Sequence, residues 1–468
     1  MTETADPAAA TGDGLRTLAA RFPPDFAWGV AASAYQIEGA VDEDGRGPSI
    51  WDTFAAQPGA IANGDSGAVA CDHYHRSAED VALMADLGVT AYRFSVAWPR
   101  VLPDGIGRAN EAGLAFYDRL IDGLLARGIQ PVLNLYHWDL PQAIQDRGGW
   151  THPDMADWFA HYAGIVADRY GDRVREWLTI NEPQVFAFTA HAVGRHAPGG
   201  RDWPTALRVA GAALRAHGAA VQRIRASVGA ARIGLALDVN RIEPATESAA
   251  DAAAADRHAA IRQRWFLDPL FGRGYPEAAL AAHGLAGHLA DELGGRGLEP
   301  PALEAPDFLG VNYYARELVA ADPDALFGLR LVPAPGAPRT TMDWEIHPHG
   351  LTRVLADLNR SYAPPALVIT ENGAAFPDTP AADGRVDDRE RRAYLEGHIS
   401  AAADAVADGV PLRGFFVWSL LDNFEWEKGF GQRFGLVRVD YATQRRTLKA
   451  SGEWYRSFLR THHQRPDR

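Results

Sequence analysis

Two hydrophobic patterns alternate along the chain. Short, nearly continuous apolar runs are separated by longer segments whose apolar positions recur at spacings of three and four. The first pattern suits strands buried on both faces of a parallel sheet. Eight such runs can be read: FAWGVAAS (26–33), AYRFSV (91–96), QPVLNLYH (130–137), EWLTINE (176–182), RIGLALDV (232–239), FLGVNYY (308–314), LVITENG (367–373) and LRGFFVWSL (412–420). The second pattern predicts amphipathic helices, as over 77–88, 111–128 and 391–409, each closed by a Gly suited to a C-terminal cap. Strands followed in turn by helical sequence predict an α/β fold, a (β/α)8 barrel, with a doubly wound sheet as the competitor. No repeat or linker divides residues 21–468, which read as one barrel domain. Residues 1–20, acidic and Ala-rich, read as a disordered leader. Residues 321–343, rich in Pro, Gly and Ala, read as a long loop after the sixth strand. In a barrel that loop lies at the C-terminal face, where active sites are built.

The strand ends carry the chemistry. EWLTINEP and LVITENG are apolar runs that end in a carboxylate, Glu182 and Glu371. Pro183 lacks an N–H and stops the regular element after Glu182. Gln36 and Glu38 follow the first run and His137 ends the third. Asn181 belongs to the fourth, Asn312 and Tyr314 to the sixth, and Trp418 to the eighth. In one barrel these residues line one mouth, with Glu182 and Glu371 facing each other across it. A lone strand-end Glu could simply pair with an Arg. Two facing carboxylates among amides and aromatics suit glycoside hydrolysis: one protonates the leaving oxygen, the other attacks the anomeric carbon or activates water. The stretch 414–435 sets Trp418, Trp426 and Phe434 beside Glu425, in a chain with thirteen Trp. Indole rings pack the apolar faces of sugars, while carboxylates and amides bind the hydroxyl edges.

Composition narrows the partners. The 468 residues are 47% apolar, enough for a large core, and carry a formal net charge of −14. That charge disfavours nucleic acid and anionic membrane surfaces and fits a neutral small molecule better. A single cysteine, Cys71, rules out an intrachain disulfide and a Cys-based zinc site. The first residues lack the basic and apolar regions of a signal peptide, and no apolar run reaches the length of a membrane span. A cytoplasmic location is expected; the oligomeric state is open. No cofactor or metal is called for. CDHYHR (71–76) offers His73 and His75 to a metal-dependent barrel hydrolase, but no matching set of strand-end ligands follows. GFGQRFG (429–435) has its third Gly one position late for a dinucleotide fingerprint.

The blocks FPPDFAWGVAASAYQIEGA (22–40), YHWDLPQ (136–142), TINEP (179–183), GVNYY (310–314), ITENG (369–373), WSLLDNFEW (418–426) and FGLVRVDY (434–441) occur in this order. With them the chain resembles the glycoside hydrolase family 1 β-glucosidases over nearly its whole length. The resemblance implies a retaining enzyme that removes terminal β-D-glucosyl residues, with β-fucosyl and β-galactosyl residues also within reach. Its substrates would be small β-glycosides or short β-gluco-oligosaccharides. It implies Glu182 as acid/base and Glu371 as nucleophile. Gln36, His137, Asn181, Glu425 and Trp426 would hold sugar hydroxyls, with Trp418 as stacking platform. Arg93, Asn312 and Tyr314 would support the nucleophile. Trp138 would lie near the sugar and Trp344 near the leaving group, with Phe434 in the same site. Ala32 and Arg438 depart from the usual residues of their blocks. A 6-phospho-β-glycosidase would replace Glu425, and a thioglucosidase would replace Glu182; both carboxylates are present.

Overall fold

The computed structural model describes residues 7–285 and 300–464. Eight parallel strands close into a barrel: β1 (Ala27–Ala31), β2 (Ala91–Ser95), β3 (Gln130–Tyr136), β4 (Glu176–Asn181), β5 (Arg232–Asp238), β6 (Phe308–Asn312), β7 (Leu367–Asn372) and β8 (Leu412–Trp418). Neighbours in sequence are neighbours in space, and β1 closes the ring against β8. All eight predicted runs are strands.

Side chains alternate along each strand, which splits the core in two. Ala31, Ala91, Val132, Leu178, Ala236, Phe308 and Phe416 form an inner cluster. Trp28, Val30, Tyr92, Phe94, Leu133, Leu135 and Trp177 belong to the larger layer that includes the surrounding helices. The inner cluster mixes Ala with Phe because a closed barrel leaves little room. Gly29 pairs with Phe416 across β1 and β8, and a Cβ on Gly29 would lie 2.3 Å from the Phe416 ring. Gly373 is under similar constraint: its Cβ would lie 1.7 Å from the Trp418 carbonyl oxygen. The Gly of the TENG block therefore lets the ends of β7 and β8 approach.

Three readings change. Leader residues Pro7–Ala19 form a helix packed on the C-terminal helix Ala450–His463, while residues 1–6 lie outside the described residues. Leu15 and Leu18 pack against the core beside Ala19 and Phe22, a helical stripe that the acidic, Ala-rich composition obscured. The stretch 321–343 is not all loop. Arg316–Ala321 and Leu329–Val332 pair antiparallel, and Arg241–Pro244 joins them in a three-stranded sheet outside the barrel. The Pro and Gly content outweighed the short β-prone LRLV. Pro183 ends β4 but also opens a helical turn that runs into the π-helix Val185–Val193; a fixed φ suits the first turn of a helix. Among the described residues no helix is long and apolar enough to cross a membrane.

Candidate active site

Glu182 is the first residue after β4. Its N–H donates to the Ala236 carbonyl of β5 (2.8 Å), and its φ is 47°. A left-handed backbone costs a residue with a Cβ about 1–2 kcal/mol. Such strain collects where a side chain must be aimed, and Trp138 (φ 78°) and Trp426 (φ 46°) share it. Glu371 sits in β7. Its Oε1 accepts from Arg93 Nη1 and its Oε2 from the Tyr314 hydroxyl (2.5 Å). Glu182 Oε1 accepts from Asn312 Nδ2 (2.7 Å).

The two carboxylates are joined by a chain of hydrogen bonds. Asn181 Oδ1 accepts from Arg93 Nη2 (2.6 Å) and from Asn312 Nδ2 (3.1 Å). Both bonds orient the Asn181 amide, so its Nδ2 donates to His137 Nε2 (3.1 Å). His137 therefore carries its proton on Nδ1, which is buried without a protein partner. Burial, and then Arg93, hold the His137 pKa well below the usual value, so the imidazole is neutral. Trp138 Nε1 donates to the Asn181 carbonyl (2.9 Å).

The carboxylates have opposite surroundings. Glu371 meets a guanidinium and a phenol. Burial pushes the Tyr314 hydroxyl well above its usual range, so it remains a donor. Glu182 meets one neutral amide. Burial, then repulsion by Glu371 and Asp238, raises its carboxyl well above the usual value, against smaller pulls from Asn312 and Arg93. Burial with repulsion by Glu427 and Glu371 likewise pushes Glu425 up to about 8, and its Oε2 is buried without a partner. Such paired, divergent environments mark acid/base sites.

Both groups open on one cavity of about 680 Å³ at the C-terminal ends of the strands. His137, Trp138, Tyr314, Trp344, Trp418, Glu425 and Trp426 line it as well. Trp426 packs on Trp138 with ring centroids 4.6 Å apart, and His137 on Trp418 at 5.7 Å. The loop that carries Glu425 is anchored from below: Asp422 is buried against Lys449 (2.5 Å) and Arg433 (2.7 Å).

Other anticipated residues lie behind this surface. Arg93, Asn181 and Asn312 are buried beneath the carboxylates. Gln36 is buried in the wall, where Oε1 accepts from Ser33 (2.6 Å) and Nε2 donates to the Phe424 carbonyl (2.8 Å). Phe434 packs behind Trp344 and Tyr314 in the inner cluster. Glu38 does not reach the mouth. It pairs with Arg100 (2.9 Å) and Tyr117 (2.6 Å). His73 and His75 turn to separate partners, His73 to Asp80 (2.7 Å), His75 to Asp72 (2.6 Å) and Glu43 (3.0 Å).

Sequence reasoning missed Asp238, Arg262, His196 and Glu427, all of which line the cavity. Asp238 had a signal: it is the polar residue near the end of the fifth run, as Glu182 and Glu371 are of theirs. His196 sits in a loop and Glu427 in the short 3-10 helix Trp426–Gly431, neither with a periodic pattern; they pair at 2.8 Å.

The model of the family described as glycosyl hydrolase family 1 matches residues 18–464. The chain belongs to glycosyl hydrolase family 1. Beta-glucosidase A of Thermotoga maritima is 47% identical over 94% of this chain and 98% of its own. Thermostable beta-glucosidase B of Thermobispora bispora is 48% identical over 94% and 90%. The solved structure of the family 1 β-glucosidase from Thermotoga maritima superposes with a TM-score of 0.89 at 46% identity, covering 94% of this chain and 98% of that one. The same Thermotoga maritima enzyme has been solved with noeuromycin, at 46% identity and TM-score 0.89 over 94% of this chain and 99% of that one. This family 1 member is thus a glycoside hydrolase with a (β/α)8 barrel, the fold and class expected from its motif blocks.

Proposed function

We propose that the chain is a retaining β-glucosidase that works by double displacement, with Glu371 as nucleophile and Glu182 as acid/base. The observation that carries this is the pair itself. One carboxylate takes donors from a cation and a phenol. The other is raised by burial and by its neighbours, and keeps its proton. Unlike environments for two carboxylates on one cavity are what separate a nucleophile from an acid.

The sugar lies in the inner half of the cavity. His137 Nδ1–H donates to one hydroxyl and Glu425 Oε2 meets another; both are buried polar atoms without a protein partner. Trp418 and Trp426 cover its apolar faces, with Gln36, Asn181 and Phe434 in the wall behind. Glu371 attacks the anomeric carbon while Glu182 protonates the departing oxygen. A glycosyl ester on Glu371 results, and Arg93 and Tyr314 are freed to stabilise the departing carboxylate in the second step. Water, giving its proton to Glu182, then releases the sugar with its β configuration. Small β-glycosides and short β-gluco-oligosaccharides are the substrates of this reading, with β-fucosides and β-galactosides as further ones. A phosphorylated sugar is disfavoured, because Glu425 lines the cavity within reach of the Glu427 and Glu371 charges.

Proton NMR of a fresh reaction tests the reading. β-Glucose should appear first and the α anomer only by mutarotation. A 2-deoxy-2-fluoro glucoside with a good leaving group should add one sugar mass to the peptide that contains Glu371. Initial α-glucose, or a label elsewhere, would overturn the assignment.

Two variants probe the surroundings. Glu425→Ser should lower kcat/KM for glucosides by about tenfold to a hundredfold, since the hydrogen bonds it makes to sugar hydroxyls contribute roughly 0.5–1.5 kcal/mol each and strengthen in the transition state. The relative rate on 6-phosphoglucosides should rise; an unchanged ratio would place Glu425 outside the sugar site. Asp238→Asn should move the alkaline limb of the kcat/KM profile to lower pH. That limb follows loss of the Glu182 proton, and Asp238 is one of the charges that hold the proton on. A limb that stays in place or moves up would remove Asp238 from this role.

A further inference from the structure

Strand β7 delivers two consecutive side chains to the site. Along its edge with β6, Ile369 pairs with Val311 and Glu371 with Asn312, so Thr370 is the extra residue of a β-bulge. A bulge re-aims a side chain that strict alternation would turn away. Glu371 reaches Arg93 and Tyr314. Thr370, fully buried, donates its hydroxyl to Asn312 Oδ1 (2.6 Å). Gly310 makes the space: a Cβ there would lie 3.0 Å from both Cγ2 and Oγ1 of Thr370.

The direction of this bond is fixed by its neighbours. Arg93 has donors only, so Asn181 Oδ1 accepts from it (2.6 Å). The Asn312 atom that faces Asn181 Oδ1 (3.1 Å) and Glu182 Oε1 (2.7 Å) must then be Nδ2. Asn312 Oδ1 is left pointing at β7, and Thr370 is the donor it meets there. Without that hydroxyl the amide oxygen is buried with no donor, which is costly. The amide then gains by turning Oδ1 toward the Glu182 carboxyl, whose proton can satisfy it. In that orientation Nδ2 no longer holds the ionised form of Glu182.

We propose that Thr370 is a positioning residue for the acid/base: from the strand that carries the nucleophile, it locks the Asn312 amide with its donor toward Glu182. This rests on the reading of Glu182 as acid/base and extends it by one link. Glu371, Tyr314, Asp238 and Arg93 also face Glu182, and Thr370→Val leaves all of them in place. The bond from Asn312 pulls the Glu182 pKa down, so its loss should let that pKa rise.

The test measures kcat/KM against pH for methyl β-D-glucoside, which needs the proton, and for 2,4-dinitrophenyl β-glucoside, which does not. In Thr370→Val the alkaline limb for the methyl glucoside should move up by about half a pH unit or more, part of what a hydrogen bond to a carboxylate contributes. At neutral pH its kcat/KM should fall by about tenfold, a fraction of the roughly 10²–10⁴-fold that general acid assistance supplies. The activated substrate should change little. Thr370→Ala and Thr370→Ser leave the same space where the methyl was and differ only in the hydroxyl. Thr370→Ala should therefore behave like Thr370→Val, and Thr370→Ser like the wild type. A limb that stays in place, equal losses on both substrates, or Thr370→Ser no better than Thr370→Ala would overturn the proposal. Glu182→Ala, measured alongside, separates the two readings: the same loss on both substrates there would sink the acid/base assignment, and this inference with it.

Discussion

Glu371→Ala is expected to lose about 10⁴- to 10⁶-fold in kcat, the scale on which a covalent nucleophile is removed; at 1.36 kcal/mol per tenfold this is roughly 5–8 kcal/mol of transition-state stabilisation. The variant should still fold. Glu371 is buried, but its removal leaves Arg93 bonded to Asn181 (2.6 Å) and Tyr314 facing the open cavity. It also leaves a carboxylate-sized space beside two donors. Azide or formate should enter that space and attack the anomeric carbon from the same face, with Glu182 still protonating the leaving oxygen. The product is then an α-glucosyl azide or formate, inverted relative to the substrate. Rescue should saturate with anion concentration. Near-normal turnover without added anion would refute the nucleophile, and rescue with retained configuration would contradict the face from which it attacks.

Glu182→Ala should behave differently, because its effect depends on the leaving group. General acid assistance contributes about 10²–10⁴-fold, and only poor leaving groups need it. For alkyl glucosides kcat/KM should fall by that amount. For 2,4-dinitrophenyl β-glucoside, whose phenolate leaves unaided, kcat/KM should fall less than about tenfold. The value of kcat on that substrate should nevertheless drop, since the glycosyl ester then waits for water without a base. Azide needs no base and should restore kcat, giving a β-glucosyl azide with retained configuration. The same loss of kcat/KM on both substrates would contradict the acid role. The pH profile supplies an independent check. In the wild type the alkaline limb should lie above the ordinary carboxylate range, as burial with repulsion by Glu371 and Asp238 dictates. In the variant the limb should disappear for the activated substrate.

The carboxylate pair was legible in the sequence for a local reason, while the split into nucleophile and acid/base came from the family resemblance. A strand buried on both faces tolerates a carboxylate only where it opens into solvent or a site. Glu182 and Glu371 at the ends of apolar runs therefore stood out, and eight such runs implied a ring that would gather their ends. Asn181, Asn312 and His137 were visible for the same reason. Nearly continuous apolar runs of strand length carry fold information in the chain itself, and each predicted run became a barrel strand.

What the chain by itself could not determine depends on contacts between distant segments. The helical leader Pro7–Ala19 is held by packing on Ala450–His463, and composition does not report a partner more than four hundred residues away. Glu38 and Glu182 both look like strand-end carboxylates. Only the fold brings Arg100 and Tyr117 to Glu38 and leaves Glu182 with a single amide. The proton on His137 Nδ1 follows from the orientation of Asn181, which two other strands, β2 and β6, impose through Arg93 and Asn312. The motif blocks pointed to the residues proposed to carry the chemistry. Tertiary structure decided their charge and their tautomer, because burial and neighbouring charge belong to the folded environment and not to the residue.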